Sequence, residues 1–280
     1  MEVLWTRFRV IYLLIQWKKL EKNSWDKTLI KPENFLKELQ KPYSYGILWL
    51  YIYEKNFRTI LNLVGGVKGL RVLDVGCGGG WLCEWLSREG AIPLGIDISF
   101  LFCKISKERA KTKGFDADFV CADGEHLPFR NNSFELTIFY QSLHHCPNPK
   151  LALNEALRVS KAVVLGDEPA KTPLLRILKL SKIILSLRVN VDEMSGIKEH
   201  RFDPSKIEHF YRGKGYHVKF VREWSFVPAL FSKTEKIRFT RILYEIFHKI
   251  LNETFLKKFA NGFTMLIRKT VHSKSKIKIL

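Results

Sequence analysis

One short stretch, residues 70–82, constrains the fold more than any other part of the chain. Its sequence is LRVLDVGCGGGWL. The first half is apolar except for Arg71 and Asp74, as expected of a strand buried on both faces of a parallel sheet, and glycines then end it. Glycines let the backbone turn sharply and approach a ligand closely, and a helix that follows presents its first N–H groups. The stretch therefore predicts a strand, a tight turn and a helix that together bind a nucleotide-like ligand.

The spacing of the glycines indicates which ligand. A dinucleotide-binding fingerprint would need glycine at position 81, where the chain has Trp81, and the Gly-Lys-Ser/Thr of a phosphate-binding loop is absent. The run of an acidic residue and alternating glycines instead resembles motif I of the class I S-adenosylmethionine-dependent methyltransferases. That cofactor has no phosphate, so its loop needs close backbone and oriented dipoles rather than a lysine. The resemblance implies cofactor contacts from Asp74, Gly76, Cys77, Gly78 and Gly80.

Two more carboxylates extend this resemblance. Asp97 lies 21 residues after Gly76, at the end of a second apolar strand, where a carboxylate accepts hydrogen bonds from both ribose hydroxyls. Asp123 begins a segment that resembles the family's D-x-x-x-L-P-F, whose aspartate contacts the adenine amino group. Ile98 and Gly124 are the neighbours expected to add backbone contacts. The structural alternatives are a helix-capping aspartate and a simple Asp-Gly turn.

A fourth strand, residues 133–140, leads into Gln-Ser-Leu-His-His-Cys-Pro. The resemblance places Gln141 beside the cofactor and the end of this strand beside the methyl group. His144 and His145 are therefore candidates for a general base or a substrate-orienting donor, with structural histidines as the alternative. We predict no metal site, because adjacent histidines point apart and the sequence has no second cluster of ligands.

The resemblance covers residues 70–169. It includes an E-x-x-R-V pattern, formed by Glu155, Arg158 and Val159, that we expect to lie on a helix. The family's K-P-G-G turn is missing, so we expect this helix to run straight into a fifth strand. Asp167 and Glu168, at the upper end of that strand, are expected to reach toward the methyl acceptor.

The predicted fold is α/β, a Rossmann-like class I methyltransferase fold. We expect a seven-stranded, mostly parallel sheet with the last strand antiparallel, plus a helical N-terminal extension and helical lid insertions. The predicted units are a helical extension over 1–63, the cofactor-binding core over 64–169, a completing unit with substrate-covering helices over 170–270, and a mobile basic tail over 271–280. A helix with a broad apolar side over Pro173 to Val191 is expected to cover the pocket, with a membrane interface as the alternative.

The charge of the chain is +19 and is unevenly placed. Residues 171–280 contain 24 Lys and Arg against nine Asp and Glu, whereas residues 61–170 are close to neutral. Net charge bears on partners rather than on fold, so nucleic acid, an anionic membrane surface, an acidic substrate and a lysine-rich, heat-adapted surface all stay open.

The five cysteines lack the paired spacing of a disulfide framework or a zinc site, which favours a reducing cytoplasm. No apolar stretch is long enough to span a bilayer. We therefore expect a cytoplasmic protein, with peripheral membrane contact as an open alternative.

The resemblance is to the small-molecule branch of the family, which includes the quinone C-methyltransferases, and it implies S-adenosylmethionine-dependent methyl transfer to a small acceptor that is apolar, lipid-like or anionic. An RNA methyltransferase that uses the basic C-terminal region is the alternative enzyme, although no RNA-binding module is evident. A cofactor-binding scaffold or regulatory protein is the non-enzymatic alternative. The sequence leaves the oligomeric state and the atom that is methylated open.

Overall fold

The structure is a computed structural model that describes residues 18–19, 22–24, 26–172, 200–224 and 240–270. The helix expected over Pro173 to Val191 and the basic tail lie outside the described residues. Most of the first 21 residues of the predicted helical extension lie outside them as well, except for Lys18 and Lys19.

Seven strands form one sheet, in the order β3-β2-β1-β4-β5-β7-β6. Each strand hydrogen-bonds to its neighbours in parallel, except that β7 is antiparallel to both β5 and β6. This confirms the predicted sheet, including its antiparallel last strand. The strands are β1 (Arg71–Val75), β2 (Ile92–Asp97), β3 (Asp118–Cys121), β4 (Phe134–Tyr140), β5 (Ser160–Pro169), β6 (Tyr216–Glu223) and β7 (Gly262–Lys269).

The described helices follow the alternation that a parallel sheet requires. They are α1 (Pro32–Leu39), α2 (Ile47–Val64), α3 (Trp81–Arg88), α4 (Phe100–Lys113), α5 (Pro149–Val159), α6 (Pro204–Gly213) and α7 (Thr240–Glu253). Short 3-10 turns span Tyr43–Tyr45, Leu143–His145 and Phe255–Phe259. Helix α5 ends at Val159 and β5 begins at Ser160, which confirms the tight connection expected without a K-P-G-G turn.

Two hydrophobic layers cover the sheet. Alternate residues of β4 point to opposite faces, as they do in any strand. On one face the core includes α2 and α3, with Ile60 and Leu82 among its fully buried members. On the other face, α5 and α6 pack against residues such as Phe139 and Val163. Both faces are buried, which explains the nearly continuous apolar runs of the central strands.

Two helices lie beyond these layers. Helix α1 packs on α4 through Phe35 and Leu39, and α7 packs on α2 in a small cluster with Trp224 at the end of β6. Because β1 to β6 are parallel, their carboxyl ends share one edge of the sheet, and the glycine turn, Asp97 and Gln141 all lie along it. In the part of the chain that the structure describes, we find no helix both long and apolar enough to cross a membrane.

Candidate active site

The glycine turn after β1 is held between two other segments. A Cβ on Gly76 would lie 2.6 Å from the Cβ of Ser142, at the end of β4, and Gly76 has a φ of 75°. A Cβ on Gly79 would lie 2.8 Å from the carbonyl oxygen of Glu38 in α1. The hydroxyl of Ser142 donates to the Val75 carbonyl at 2.6 Å, which ties the ends of β1 and β4 together. The turn therefore needs glycine for close packing as well as for its backbone angles.

Asp74 lies beneath this turn, where it is 1% exposed. Its carboxylate accepts a hydrogen bond from the Cys83 thiol in α3 at 3.5 Å. Burial raises the pKa of Asp74 to about 7. The structure thus places this predicted cofactor residue as a support that joins β1 to α3, below the residues that face the edge of the sheet.

Asp97 ends β2 beside the turn. One carboxylate oxygen accepts from the Gly78 amide at 3.0 Å and the other accepts from the Ser99 amide at 2.9 Å. Burial raises the pKa of Asp97 to about 6, although these two amide hydrogen bonds act in the opposite direction. Each oxygen keeps a further lone pair, so the carboxylate can accept a pair of hydroxyl groups at the carboxyl edge. Ile98 directly follows Asp97, and the Cys77 amide donates to the carbonyl of the preceding residue, Ile96, at 2.9 Å.

Asp123 follows β3, and its carboxylate is already bonded. Lys18 approaches it at 2.6 Å and approaches Glu125 at 2.7 Å, while His126 Nδ1 lies 3.0 Å from the same Asp123 oxygen. Burial acts to raise the pKa of Asp123, but the hydrogen bonds with Lys18 and His126 outweigh it and lower the pKa. Sequence reasoning did not predict Lys18, because the contact joins residues 105 positions apart.

The same cluster contains three potential metal ligands, Asp123, Glu125 and His126, whose ligand atoms lie within 4.8 Å of one another. The Lys18 ammonium lies within hydrogen-bond distance of both carboxylates. The cluster is therefore built as an ion pair, in which an ammonium supplies the positive charge that a cation would otherwise supply.

The turn after β4 is organised by Glu168, which is fully buried. Its oxygens accept hydrogen bonds from the amides of Ser142, Leu143 and His144 at 2.9 to 3.2 Å, and from His144 Nδ1 at 2.8 Å. The expectation that Glu168 reaches toward the acceptor is wrong, because its buried carboxylate accepts hydrogen bonds from the turn after β4 instead. His144 is correspondingly fixed by Glu168 and is 8% exposed.

His145, Gln141 and Asp167 lie next to this turn. Burial lowers the pKa of His145 to about 3, helped by the neighbouring His144 and Lys41, so the imidazole is neutral near pH 7. Gln141 Nε2 donates to Asp167 Oδ2 at 2.5 Å. Both residues have left-handed backbones, with φ near 50°, which non-glycine residues rarely adopt. Such backbone strain clusters at functional sites, and it supports the prediction that the end of β4 belongs to the active site.

An aromatic wall faces the same edge. Trp81 lies 4.8 Å from Tyr53 and 4.9 Å from Tyr140, measured between ring centroids, in edge-to-face arrangements. The Tyr140 hydroxyl accepts from Asn56 at 3.1 Å. Sequence reasoning missed these residues. Two of them could have been found from their neighbours in sequence, since Trp81 directly follows the glycines and Tyr140 directly precedes Gln141. No motif lies near Tyr53 that would indicate a role in the site.

These residues fit a phosphate-free adenosine cofactor. The turn, residues 76–80, has no charged side chain to bind phosphate, and it leads directly into α3, whose first amides lie at the positive end of the helix dipole. Asp97 supplies acceptors for hydroxyl groups, and Asp123 supplies a carboxylate at the end of the next strand.

Comparison with known proteins also points to methyltransferases. Residues 73–163 match the family described as methyltransferase domain. The chain is 38% identical over 104 residues to a demethylmenaquinone methyltransferase of Renibacterium salmoninarum, covering 37% of this chain and 42% of the relative. It is 34% identical over 98 residues to a ubiquinone biosynthesis O-methyltransferase of Salmonella paratyphi A, covering 35% and 40%. The chain thus spans about two fifths of the length of these curated relatives.

Solved structures with a similar fold cover most of the chain. The [4+2]-cyclase SpnF has a TM-score of 0.56 and 21% identity, over 80% of this chain and 84% of that one. The magnesium protoporphyrin IX methyltransferase ChlM of Synechocystis PCC 6803, with bound SAH, has a TM-score of 0.51 and 16% identity, over 89% and 93%. At such identities the likeness establishes the fold.

Proposed function

We propose that this protein is an S-adenosylmethionine-dependent methyltransferase that acts on a small, apolar acceptor. The observation that carries the proposal is the bond between the Gly78 amide and Asp97, which joins the glycine turn to a buried carboxylate at the neighbouring strand end. The match of residues 73–163 to the methyltransferase domain supports it.

In this proposal the cofactor lies across the carboxyl ends of β1, β2 and β3. Asp97 accepts the ribose hydroxyls, Asp123 accepts the adenine amino group after Lys18 moves away, and the backbones of Cys77, Ile98 and Gly124 line the same edge. When bound, the cofactor supplies an electrophilic methyl group on a sulfonium. The chain then has to hold the acceptor in line and exclude water.

The residues around the end of β4 are proposed to hold the acceptor. A histidine with a pKa of about 3 is a weak base at neutral pH, so His145 orients the acceptor through a hydrogen bond rather than by removing a proton. His144 acts indirectly, because Glu168 and His144 together fix the turn that carries His145. The aromatic wall of Tyr53, Trp81 and Tyr140 supplies the dry, apolar surroundings that an apolar acceptor needs.

The acceptor class follows from this chemistry and from the relatives. The relatives' names refer to menaquinone and ubiquinone. Quinones of this kind are apolar and uncharged, so an aromatic, uncharged pocket suits them. We therefore propose a quinone-like or other lipid-like acceptor. An acceptor of this kind is held in a membrane, so the proposal includes peripheral contact between the protein and a membrane surface.

The binding test uses S-adenosylhomocysteine in titration calorimetry. We expect wild-type protein to bind it and Asp97→Asn to bind about tenfold more weakly, because an amide offers one acceptor atom instead of two. His145→Phe keeps cofactor affinity and loses methyl transfer. Tight binding of a pyridine dinucleotide with no heat from S-adenosylhomocysteine contradicts the proposal.

The acceptor test uses methyl-labelled S-adenosylmethionine and a fractionated cell extract. We expect label in the fraction extracted by organic solvent. Label in RNA selects the RNA methyltransferase instead. Cofactor binding without transfer to any fraction selects the scaffold.

A further inference from the structure

Helix α7 presents its apolar side to solvent. Leu243 is 63% exposed, Ile242 and Ile246 are 54% exposed, Ile250 is 50% exposed and Phe247 is 40% exposed. These positions recur at the i, i+4 and i+8 spacing of one helix side. Helices on protein surfaces normally bury such a side, and contiguous exposed apolar surface marks a binding site.

The opposite side of α7 is polar, and it is the buried side. Tyr244, His248 and Asn252 are each at most 8% exposed. His248 Nε2 donates to the Trp224 carbonyl at 2.8 Å, and Asn252 Oδ1 accepts from the Trp224 amide at 3.3 Å. Tyr51 of α2 packs edge-on against both Tyr244 and His248, at 5.9 and 5.6 Å between ring centroids.

These contacts fix the rotation of the helix. Turning α7 to bury its isoleucines would break both bonds to Trp224 and leave the backbone groups of Trp224 without these partners. A groove of about 570 Å³ between α2, β6 and α7 is lined by this polar side as well. The outward apolar surface is therefore a stable property of the fold.

The surroundings of the apolar side are rich in lysine. Lys249 and Lys258 are exposed, Lys257 is half-buried, and Phe255 beside them is 72% exposed. The acidic residues near this border are Glu245 and Glu253. Residues 171–280 as a whole carry an excess of 15 positive charges. Apolar side chains bordered by lysines are the composition of helices that lie in the interface of an anionic membrane.

We infer that the outward side of α7 docks the protein on an anionic lipid membrane. A second copy of this chain fits the surface less well, because two molecules of charge +19 would bring their lysine-rich borders together. Helix α7 packs on α2 next to the end of β6, on the sheet edge that carries the candidate active site. The inference rests on the proposed function in one respect, since docking there presents this edge to a lipid-like acceptor.

The test measures co-sedimentation of the full chain with vesicles of phosphatidylcholine alone and of phosphatidylcholine mixed with phosphatidylglycerol. We expect binding to the mixed vesicles. The double variant Ile246→Asp, Ile250→Asp is expected to bind about a hundredfold more weakly, because each change removes apolar insertion and adds a repelled charge. Ile92→Asp is the matched control: Ile92 is 61% exposed at the opposite edge of the sheet, and its change leaves binding intact.

A second arm tests the charges. Lys249→Glu with Lys258→Glu is expected to weaken binding to the mixed vesicles by about fivefold per residue. Lys107→Glu with Lys111→Glu, two exposed positions in α4, is the control that changes net charge equally.

Three results overturn the inference: wild-type protein that binds neither vesicle, α7 variants that bind as well as wild type, and a wild-type dimer that the aspartate variants dissociate. Circular dichroism and S-adenosylhomocysteine calorimetry on each variant separate a loss of docking from a loss of folding. Since vesicle binding is measured without methyl transfer, cofactor binding that persists while docking fails contradicts only the docking surface.

Discussion

In the proposed site, Asp97 makes cofactor binding depend on pH. Burial raises its pKa to about 6 in the free protein, and ribose hydroxyls donate to the ionised form. The ionised form therefore gains from the cofactor, and its pKa falls on binding. We expect the affinity for S-adenosylhomocysteine to be highest above about pH 7 and to fall by up to about tenfold per unit below pH 6.

Calorimetry between about pH 5 and pH 8 checks this prediction. Asp97→Asn is the control, since an amide does not titrate and its weaker binding stays level across the same range. Affinity that rises toward acid pH in the wild type contradicts the assignment of Asp97 to the ribose.

In the proposed site, Lys18 competes with the cofactor for Asp123. Its ammonium is 2.6 Å from the carboxylate, and burial of Lys18 is outweighed by the hydrogen bonds with Asp123 and Glu125, which raise its pKa. An adenine amino group has to displace this ion pair. We therefore expect Lys18→Ala to bind S-adenosylhomocysteine about three- to tenfold more tightly than wild type.

Lys19→Ala is the matched control, because Lys19 is an exposed neighbour with the same charge. Its affinity for S-adenosylhomocysteine should equal that of the wild type. Weaker binding by Lys18→Ala would show that the lysine supports the cofactor site instead of blocking it.

At the scale of elements, the β1–α3 turn depends on how closely β4 approaches it. Gly76→Ala adds a Cβ 2.6 Å from that of Ser142 and also strains a φ of 75°. Gly114, after α4, has a φ of 64° with open space around it, so Gly114→Ala adds the backbone strain alone. We expect a loss in unfolding free energy of about 3 kcal/mol or more for Gly76→Ala and about 1 kcal/mol for Gly114→Ala.

Urea unfolding of both variants measures this difference, and calorimetry should show cofactor affinity lost only in Gly76→Ala. Equal losses of stability in the two variants would mean that the backbone angle alone requires glycine at position 76.

The elements themselves could largely be predicted from the sequence. The strand, tight turn and helix predicted over residues 70–82 are present as β1, the glycine turn and α3, because apolar pattern and glycines agree with one another. The Ser99 hydroxyl accepts from the Phe102 amide at 3.2 Å and so caps the N-terminus of α4. The positions of Asp97 and Asp123 at the carboxyl edge of the sheet could be predicted too, since each lies at or just after a strand end that is visible in the sequence.

What could not be predicted depends on long-range contacts. Glu168 follows a strand just as Asp97 does, yet it turns inward to bind three amides of the β4 turn. Lys18 meets Asp123 across more than a hundred residues. Helix α7 has a clear amphipathic pattern, but only its bonds to Trp224 determine that the polar side is the buried one.

For the whole molecule, the large and unevenly placed positive charge favours electrostatic association with any polyanion. Residues 61–170 are nearly neutral, so the charge excess lies outside the cofactor-binding core and carries no preference for RNA over other anions. Binding of this kind depends on the release of counterions and decreases steeply with salt. Docking through α7 differs, because burial of its isoleucines does not depend on salt.

We therefore expect two different salt dependences for the same protein. Affinity for a mixed tRNA sample, measured by fluorescence anisotropy, should fall by about a hundredfold or more between about 50 and 200 mM salt. Affinity for the anionic vesicles should fall by much less over the same range, and Ile246→Asp with Ile250→Asp should remove the part that persists. A tRNA complex that survives the higher salt would mean specific contacts to RNA, and it would favour the RNA methyltransferase over the lipid-like acceptor.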